Sequence, residues 1–458
     1  MVLSLVCRKS RPRHSSDPVS GNSRANGNTR KLAGGGNPHA RYLRLEGTPV
    51  RSLTRPGQAR TSIRRSTLTA AVMVLITAFA PALPAHAAST CTVNGANRSG
   101  TLITGTSGDD TINCSGNVLS DTTVDGLDGN DTITVQTNLG TVNGGIGTDK
   151  ITISGYNYAT ANGGPGDDTL SALSNETAGN LRGDTGNDTI SVTTSSGINS
   201  GAINGDAGND KLSARTNYVS TGQINGGPGL DEITVTRNDG AIHGNEDADT
   251  VTTDQPTNTS VKPTVYGDAG NDTLTVSQNL NGNIVRGDDG DDKINVGTND
   301  SGAQVLGGLG VDTITVTTNR ATVDGEAGAD AIIVPAGGVN TGTLRGGTEN
   351  DSFDIANHEF GGNVEGAGGS DTIKINRLRG HVHGGLDGDT VTVTTLVWSE
   401  PTYPPENVAH VFGEAGNDTI TVDESIRYGV LDGGDGTDSC TVKIIRDPSG
   451  FYIRNCNP

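Results

Sequence analysis

Residues Gly126–Ser154 read GLDGNDTITVQTNLGTVNGGIGTDKITIS. A glycine-rich acidic nonapeptide, GLDGNDTIT at 126–134, returns at 144–152 as GGIGTDKIT. After its acidic residue the chain runs Thr-Ile-Thr-Val, alternating outward and inward with the period of two that marks a strand. Between the copies, Asn138-Leu139-Gly140-Thr141-Val142-Asn143 reads as a turn followed by a second short strand. One turn of about 20 residues thus holds two short strands and one glycine-acid bend.

Working outward, the nonapeptide recurs 17 times, starting at Gly105, Gly126, Gly144, Gly163, Gly183, Gly205, Gly226, Gly244, Gly267, Gly287, Gly307, Gly325, Gly346, Gly366, Gly384, Gly413 and Gly433. Its sixth place is always aspartate: Asp110, Asp131, Asp149, Asp168, Asp188, Asp210, Asp231, Asp249, Asp272, Asp292, Asp312, Asp330, Asp351, Asp371, Asp389, Asp418 and Asp438. The fourth place is glycine except at Asp247, Glu349 and Asp387, and the eighth is apolar throughout, Cys440 included. Stacked turns make an all-β, parallel β-solenoid of about 17 layers, on the order of 80 Å long at the spacing of neighbouring strands. Such a rod buries its core only between neighbouring turns. That accounts for a chain with 68 glycines and only 3% aromatic residues, a composition that cannot fill a thick globular core.

Each motif position has a physical reason. Glycine at the first and fourth places permits positive φ and close backbone approach, so the chain bends tightly. Carbonyl oxygens turned into such a bend, together with the sixth-place aspartate, form a hard oxygen cage of the kind calcium takes. A column of aspartates one strand spacing apart repels itself without a counterion. These repeats resemble the hemolysin-type, or repeats-in-toxin, calcium-binding family, whose nonapeptide is G-G-x-G-x-D-x-U-x with U a large apolar residue. The resemblance covers about residues 105–441. It implies Ca2+ ions, up to about 16, held between equivalent bends of adjacent turns by the sixth-place carboxylates and bend carbonyls. Here the second half of each turn lacks the glycine-acid signature, so cations are expected along one edge only. Sites near Asp247, Glu349 and Asp387, and beside the longer turns at 252–264 and 395–410, are expected to be weaker. No toxin, protease or lipase domain accompanies the repeats, and the activities of family enzymes do not transfer.

The net charge of −20 is unevenly placed: residues 1–65 carry 14 Lys/Arg and two acids, which leaves the chain from residue 88 onward at −32. A basic stretch, the apolar run Ala70–Ala80 and then Ala85-His86-Ala87 form the three-part layout of a secretory signal cleaved after Ala87. The run is too short for a membrane span. Initiation further downstream, at Val50 for example, gives a leader of ordinary length, and Arg64-Arg65 leaves the general and twin-arginine export routes both open. The layout is therefore 1–87 leader and signal peptide, 88–104 N-terminal cap, 105–441 solenoid, 442–458 C-terminal cap, in a secreted protein. Cys91, Cys114, Cys440 and Cys456 sit as two close pairs at opposite ends. Disulfides Cys91–Cys114 and Cys440–Cys456 are expected to tie the end turns, since neither pair has the CxxC spacing of a metal tetrad.

Acidity argues against nucleic acid as a partner. A polysaccharide-active enzyme needs convergent carboxylates in a groove, whereas these acids are periodic and bound into bends, so no catalytic residue is assigned. Asp184-Thr185-Gly186 matches the aspartic-protease triplet but falls inside a repeat and reads as a bend. His381 and His383 share a strand face, either as a packed pair or as ligands for zinc or copper. Threonines at the seventh and ninth places, such as Thr132/Thr134 and Thr313/Thr315, form a file with ice binding as a rival function, interrupted by Lys150, Lys211, Glu232, Lys293, Asp354 and Lys374. Trp398, in the insertion 396–410, is expected in a loop packed on the rod. The expected role is structural or surface-interacting, with a cell surface or polysaccharide as the candidate partner.

Overall fold

The computed structural model describes residues 88–457 apart from 194–196, 219–220, 255–261, 301, 398–407 and 449. The leader and signal segment and Trp398 lie outside the described residues.

All regular structure among the described residues is β-strand, wound as a parallel solenoid of about 16 turns. The strands that follow the aspartates, such as Thr132–Asn138, Lys150–Asn157 and Thr169–Asn175, stack in register in a 21-stranded sheet. Ile133 lies over Ile151, and Ile151 over Leu170. A second sheet is built from the strands that precede the bends, such as Thr123–Asp128, Thr141–Ile146 and Thr160–Pro165, with Val124 over Val142 and Val142 over Ala161. These strands continue through the first three nonapeptide places, so the bend is tighter than the sequence pattern implies.

Alternation along each strand decides what is inside. In Thr132–Asn138, Ile133 and Val135 are buried while Thr132 is exposed. Summed over the layers, this gives three apolar columns: the eighth place, the tenth place (Val135, Ile153, Val276, Val316) and the preceding strand (Val142, Leu181, Ile203, Val305), nearly all at 0–1% exposure. Burying each such side chain contributes about 1.5–3 kcal/mol before entropy is counted. The thin cross-section is filled by branched aliphatics, and Phe353 is the largest fully buried side chain.

A fourth column is polar, on the edge opposite the aspartates. Asn138, Asn157, Asn175, Asn199, Asn217 and Asn238, then Asn279, Asn299, Asn319 and Asn340, are fully buried. Within the runs 138–238 and 279–340 each Nδ2 donates to the next Oδ1, for example Asn157 to Asn175 at 2.8 Å and Asn299 to Asn319 at 2.9 Å, and between the runs Asn238 Nδ2 donates to the Thr264 carbonyl at 3.2 Å instead. The same Nδ2 also reaches a strand carbonyl, as Asn299 does at Thr322 (2.9 Å). The ladder stops at His358, whose Nδ1 faces Asn340 Nδ2 at 2.9 Å and whose Nε2 donates to the His381 carbonyl at 2.9 Å. Burial pushes the His358 pKa down to about 4, so the ring is neutral. Leu378 and Leu396 take the slot in the following turns.

Both expected disulfides are present, Cys91–Cys114 and Cys440–Cys456. At the N-terminal end Ser89–Val93 pairs antiparallel with Ala96–Gly100 and with Thr111–Val118, laying Cys91 and Val93 over the first core layer. At the other end Phe451–Arg454 adds in parallel to Gly429–Asp435. No described helix is long and apolar enough to cross a membrane.

Candidate metal centre

The bend's backbone differs from expectation in one respect. The first-place glycines do not adopt positive φ; the second and fourth places do. After the first copy, the second place holds Leu127, Asp184, Asp206, Asn245, Asp268, Asp288, Glu326, Ala367 and Glu414 as well as glycine, with φ from 71° to 86° where non-glycine. The fourth place is left-handed at its glycines after the first copy, whose Gly108 is not, and equally at Asp247 (73°), Glu349 (70°) and Asp387 (68°). These three acids keep the bend while accepting a conformation that costs a side-chain residue about 1–2 kcal/mol. The first place is glycine for room. A Cβ on Gly307 would lie 2.2 Å from Asp312 Oδ2 and 2.6 Å from the Gly325 carbonyl oxygen of the next turn.

All 17 sixth-place aspartates line one edge of the rod, and each is at most 2% exposed. Sixteen hydrogen bonds join them: the backbone N–H of each aspartate donates to Oδ1 of the aspartate one turn on, from Asp110 to Asp131 (2.7 Å) through Asp292 to Asp312 (2.9 Å) to Asp418 to Asp438 (2.9 Å). The ladder crosses both long turns unbroken, Asp249 to Asp272 at 2.7 Å and Asp389 to Asp418 at 2.8 Å.

The second oxygen of these carboxylates has no such partner. Oδ2 of every aspartate from Asp131 to Asp438 is buried without a hydrogen bond. Asp110 differs because, at the first bend, its carboxylate is held by the Thr106 hydroxyl and by Asn94 Nδ2. Each orphaned Oδ2 lies against a first-place glycine and, at every layer but those of Asp168 and Asp351, beside a carbonyl of the following turn: Gly144 O for Asp131, Gly325 O for Asp312, Asn455 O for Asp438.

Burial pushes these carboxyls up, to about 6 at Asp131, about 7 at Asp188 and about 8 at Asp168, Asp249 and Asp351. The N–H bond from the preceding aspartate pulls the other way, and neighbouring carboxylates push further up. A buried acceptor with no donor is costly, and sixteen in register form a periodic file. A hard divalent cation fits this donor chemistry, since carboxylate and carbonyl oxygens are what calcium takes. Among the described residues no three His, Cys, Asp or Glu side chains converge on one point. The donor set in each gap is accordingly a mixed one, built from side chain and backbone.

The sequence reading left the fifth place unassigned. Its Asn or Asp side chains form an outer ladder of opposite polarity, with Oδ1 accepting from the next turn's N–H: Asp109 from Asn130 (2.8 Å), Asn130 from Thr148 (2.8 Å), Asn187 from Asn209 (2.9 Å). The recurrent Asn-Asp pair in copies such as GNDT was the available signal.

The remaining candidates are placed as follows. Asp184-Thr185-Gly186 lies in a bend, with φ of 83° at Asp184 and 134° at Gly186. His381 stacks on His410 at 5.1 Å, and His383 stacks on Phe412 at 4.9 Å while its Nδ1 meets Glu414 Oε1 at 2.7 Å. Lys150 lies in register beside Thr132, and Lys211 pairs with Glu232 at 3.3 Å within the threonine file.

No family model matches the chain, and no curated protein matches it. Among solved structures the chain is similar to a hyperactive, Ca2+-dependent, β-helical antifreeze protein from an Antarctic bacterium, at 19% identity and a TM-score of 0.33, over 74% of this chain and 84% of that one.

Proposed function

We propose that this chain is a secreted, non-catalytic β-solenoid of the hemolysin-type repeat kind, and that calcium held between successive bends drives its folding. One observation carries the reading: the file of sixteen buried Oδ2 atoms without a donor, fourteen of them set beside a backbone carbonyl of the next turn at a first-place glycine. Bound calcium supplies two positive charges and a flexible oxygen coordination sphere at each gap. The chain supplies the rest. Oδ1 of each aspartate fixes the register of the turn before it, Oδ2 and the glycine carbonyl present oxygens to the gap, and the bare first-place glycine keeps the gap open. Before export the acidic segment repels itself and stays expanded; in calcium the same carboxylates become ligands, and binding free energy becomes folding free energy.

The test is far-UV circular dichroism of residues 88–458 during a calcium titration, with magnesium as control. A cooperative coil-to-β change, reversed by chelator, is the expected result. A segment fully β in chelator, with a melting temperature indifferent to calcium, would refute the reading.

A further inference from the structure

The two ends of the aspartate file are built differently, and the difference marks a cation site that lies beyond the last nonapeptide. We propose that the C-terminal tail forms a truncated bend, that Asp438 Oδ2 and the Asn455 carbonyl hold a calcium ion there, and that the Cys440–Cys456 disulfide keeps this site assembled. The inference rests on the reading of the file as a cation site and adds to it a terminal site coupled to the disulfide.

At the N-terminal end protein donors close the file. Asp110 Oδ2 accepts from the Thr106 N–H and, at 3.0 Å, from the Thr106 hydroxyl, while Asp110 Oδ1 accepts from Asn94 Nδ2. The bend around it also has its own shape. Neither Thr106 nor Gly108 is left-handed, whereas the second and fourth residues of all sixteen later copies are. The first gap, between Gly105 and the Gly126 carbonyl, thus has its carboxylate satisfied without a cation.

The C-terminal end has no such donors. Asp438 is 2% exposed, and its Oδ2 has no hydrogen bond. What faces it is the tail in place of another nonapeptide. Phe451–Arg454 lies in register with residues 429–432, which sets Asn455 over Gly433 at the first place. A Cβ on Gly433 would lie 2.3 Å from the Asn455 carbonyl oxygen and 2.7 Å from Asp438 Oδ2, just as a Cβ on Gly307 meets the next turn's carbonyl and Asp312. The Asn457 N–H donates to the Asp438 carbonyl at 2.8 Å, the bond that Ser439, at the seventh place, makes to Asp418 at 2.8 Å. The tail therefore passes from the first place to the seventh with Cys456 alone between them, where a nonapeptide uses five residues. So short a bend adds a carbonyl to the file and no aspartate.

Gaps between nonapeptides are walled by a full turn on each side. This one is walled on one side by a four-residue strand and a single-residue link. Asn455 is exposed and left-handed, with φ of 49°, a conformation asparagine tolerates. Its Nδ2 donates to Asp432 Oδ1 at 2.7 Å, and Cys456 ties the link covalently to Cys440, the eighth-place residue beside Asp438. The disulfide holds the carbonyl near Asp438 at high effective concentration; without it the tail must be ordered at the expense of ion binding.

The test combines calcium counting by equilibrium dialysis with hydrogen exchange over 451–457, on residues 88–458 as wild type, C440S/C456S and D438N. In the wild-type chain calcium should protect the tail. Each variant should bind about one ion fewer per chain and lose that calcium-dependent protection, with the response at 126–192 unchanged. Circular dichroism in saturating calcium checks that each variant folds, and D438N keeps the disulfide and nearly the same shape, so it reads the site even if C440S/C456S does not fold. A folded C440S/C456S chain that binds as many ions as wild type, with its tail protected by calcium, overturns the coupling to the disulfide while the file stands. Unchanged ion count and tail protection in D438N overturn the terminal site itself. Absence of calcium uptake by the wild-type chain would overturn both this site and the file.

Discussion

Replacing Asp312 by asparagine tests the cation file at one layer with almost no change of shape. Asp312 is fully buried; its Oδ1 accepts the Asp292 N–H at 2.9 Å, and its Oδ2 has no partner. Burial is the main cause that pushes its pKa from 3.8 to about 7. Keeping this carboxyl ionised in the folded chain at about pH 8 therefore costs on the order of 4 kcal/mol relative to the unfolded chain. Asparagine keeps the Oδ1 acceptor, removes the charge and places an Nδ2 donor toward the Gly325 carbonyl. In chelator, D312N should be more stable than wild type by up to that amount. In millimolar calcium that advantage should shrink, because one binding site is lost; at extracellular-type affinities a single site is worth roughly 0.5–1.5 kcal/mol. Thermal melts followed by circular dichroism at about pH 8, in chelator and in calcium, read both arms, and calcium counted per chain should fall by about one. A D312N chain that is less stable than wild type in chelator and unaffected by calcium would refute the account of Oδ2 as a cation ligand.

Without a cation, pH should act in the same sense. The folded-state pKa values of the file lie above the ordinary 3.8, at about 6 to 8 for Asp131, Asp168 and Asp249, so the folded chain binds more protons than the unfolded one. Stability in chelator is thus fully present below about pH 4 and lost as pH rises through 6 to 8; a melt series in which it rises over that range would contradict the assignment. Gly307→Ala, at a backbone conformation any residue can adopt, places a methyl group on Asp312 Oδ2 and the Gly325 carbonyl. It should cost about 1–3 kcal/mol and one bound ion, measured by denaturant titration and calcium counting. On the opposite edge, Asn299→Ala removes the 2.9 Å bonds to Asn319 and Thr322 and leaves Asn279 Nδ2 with the Gln304 carbonyl alone. The expected loss of about 2–4 kcal/mol should be equal in chelator and in calcium, because the bonds lost are between protein groups on the edge away from the aspartates.

Period and spacing were enough to determine the architecture. Seventeen nonapeptides about 20 residues apart, each followed by alternating apolar residues, leave a stacked parallel solenoid as the arrangement that buries the eighth-place column. The invariant sixth aspartate marked the site edge because identical residues at identical turn positions must superpose. The cysteine pairing was also legible, since two close pairs at opposite ends of a rod cannot reach across it.

What the pattern could not supply was direction within a turn. Glycine is favoured both where φ is positive and where a Cβ has no room, and a sequence records the residue without the reason. Only the folded backbone separates the first place, glycine for space, from the second and fourth, left-handed and open to Asp184 or Glu349. The asparagine ladder was partly legible and was missed: Asn138, Asn175, Asn217, Asn238, Asn279, Asn299 and Asn319 all stand twelve residues after the first glycine of their copy, whereas Asn157, Asn199 and Asn340 are displaced in sequence and only stacking in space brings them into line. The two oxygens of each aspartate look identical in sequence as well. Tertiary structure divides them, because stacking brings one N–H of the neighbouring turn to each carboxylate: it binds Oδ1 and leaves Oδ2 without a donor.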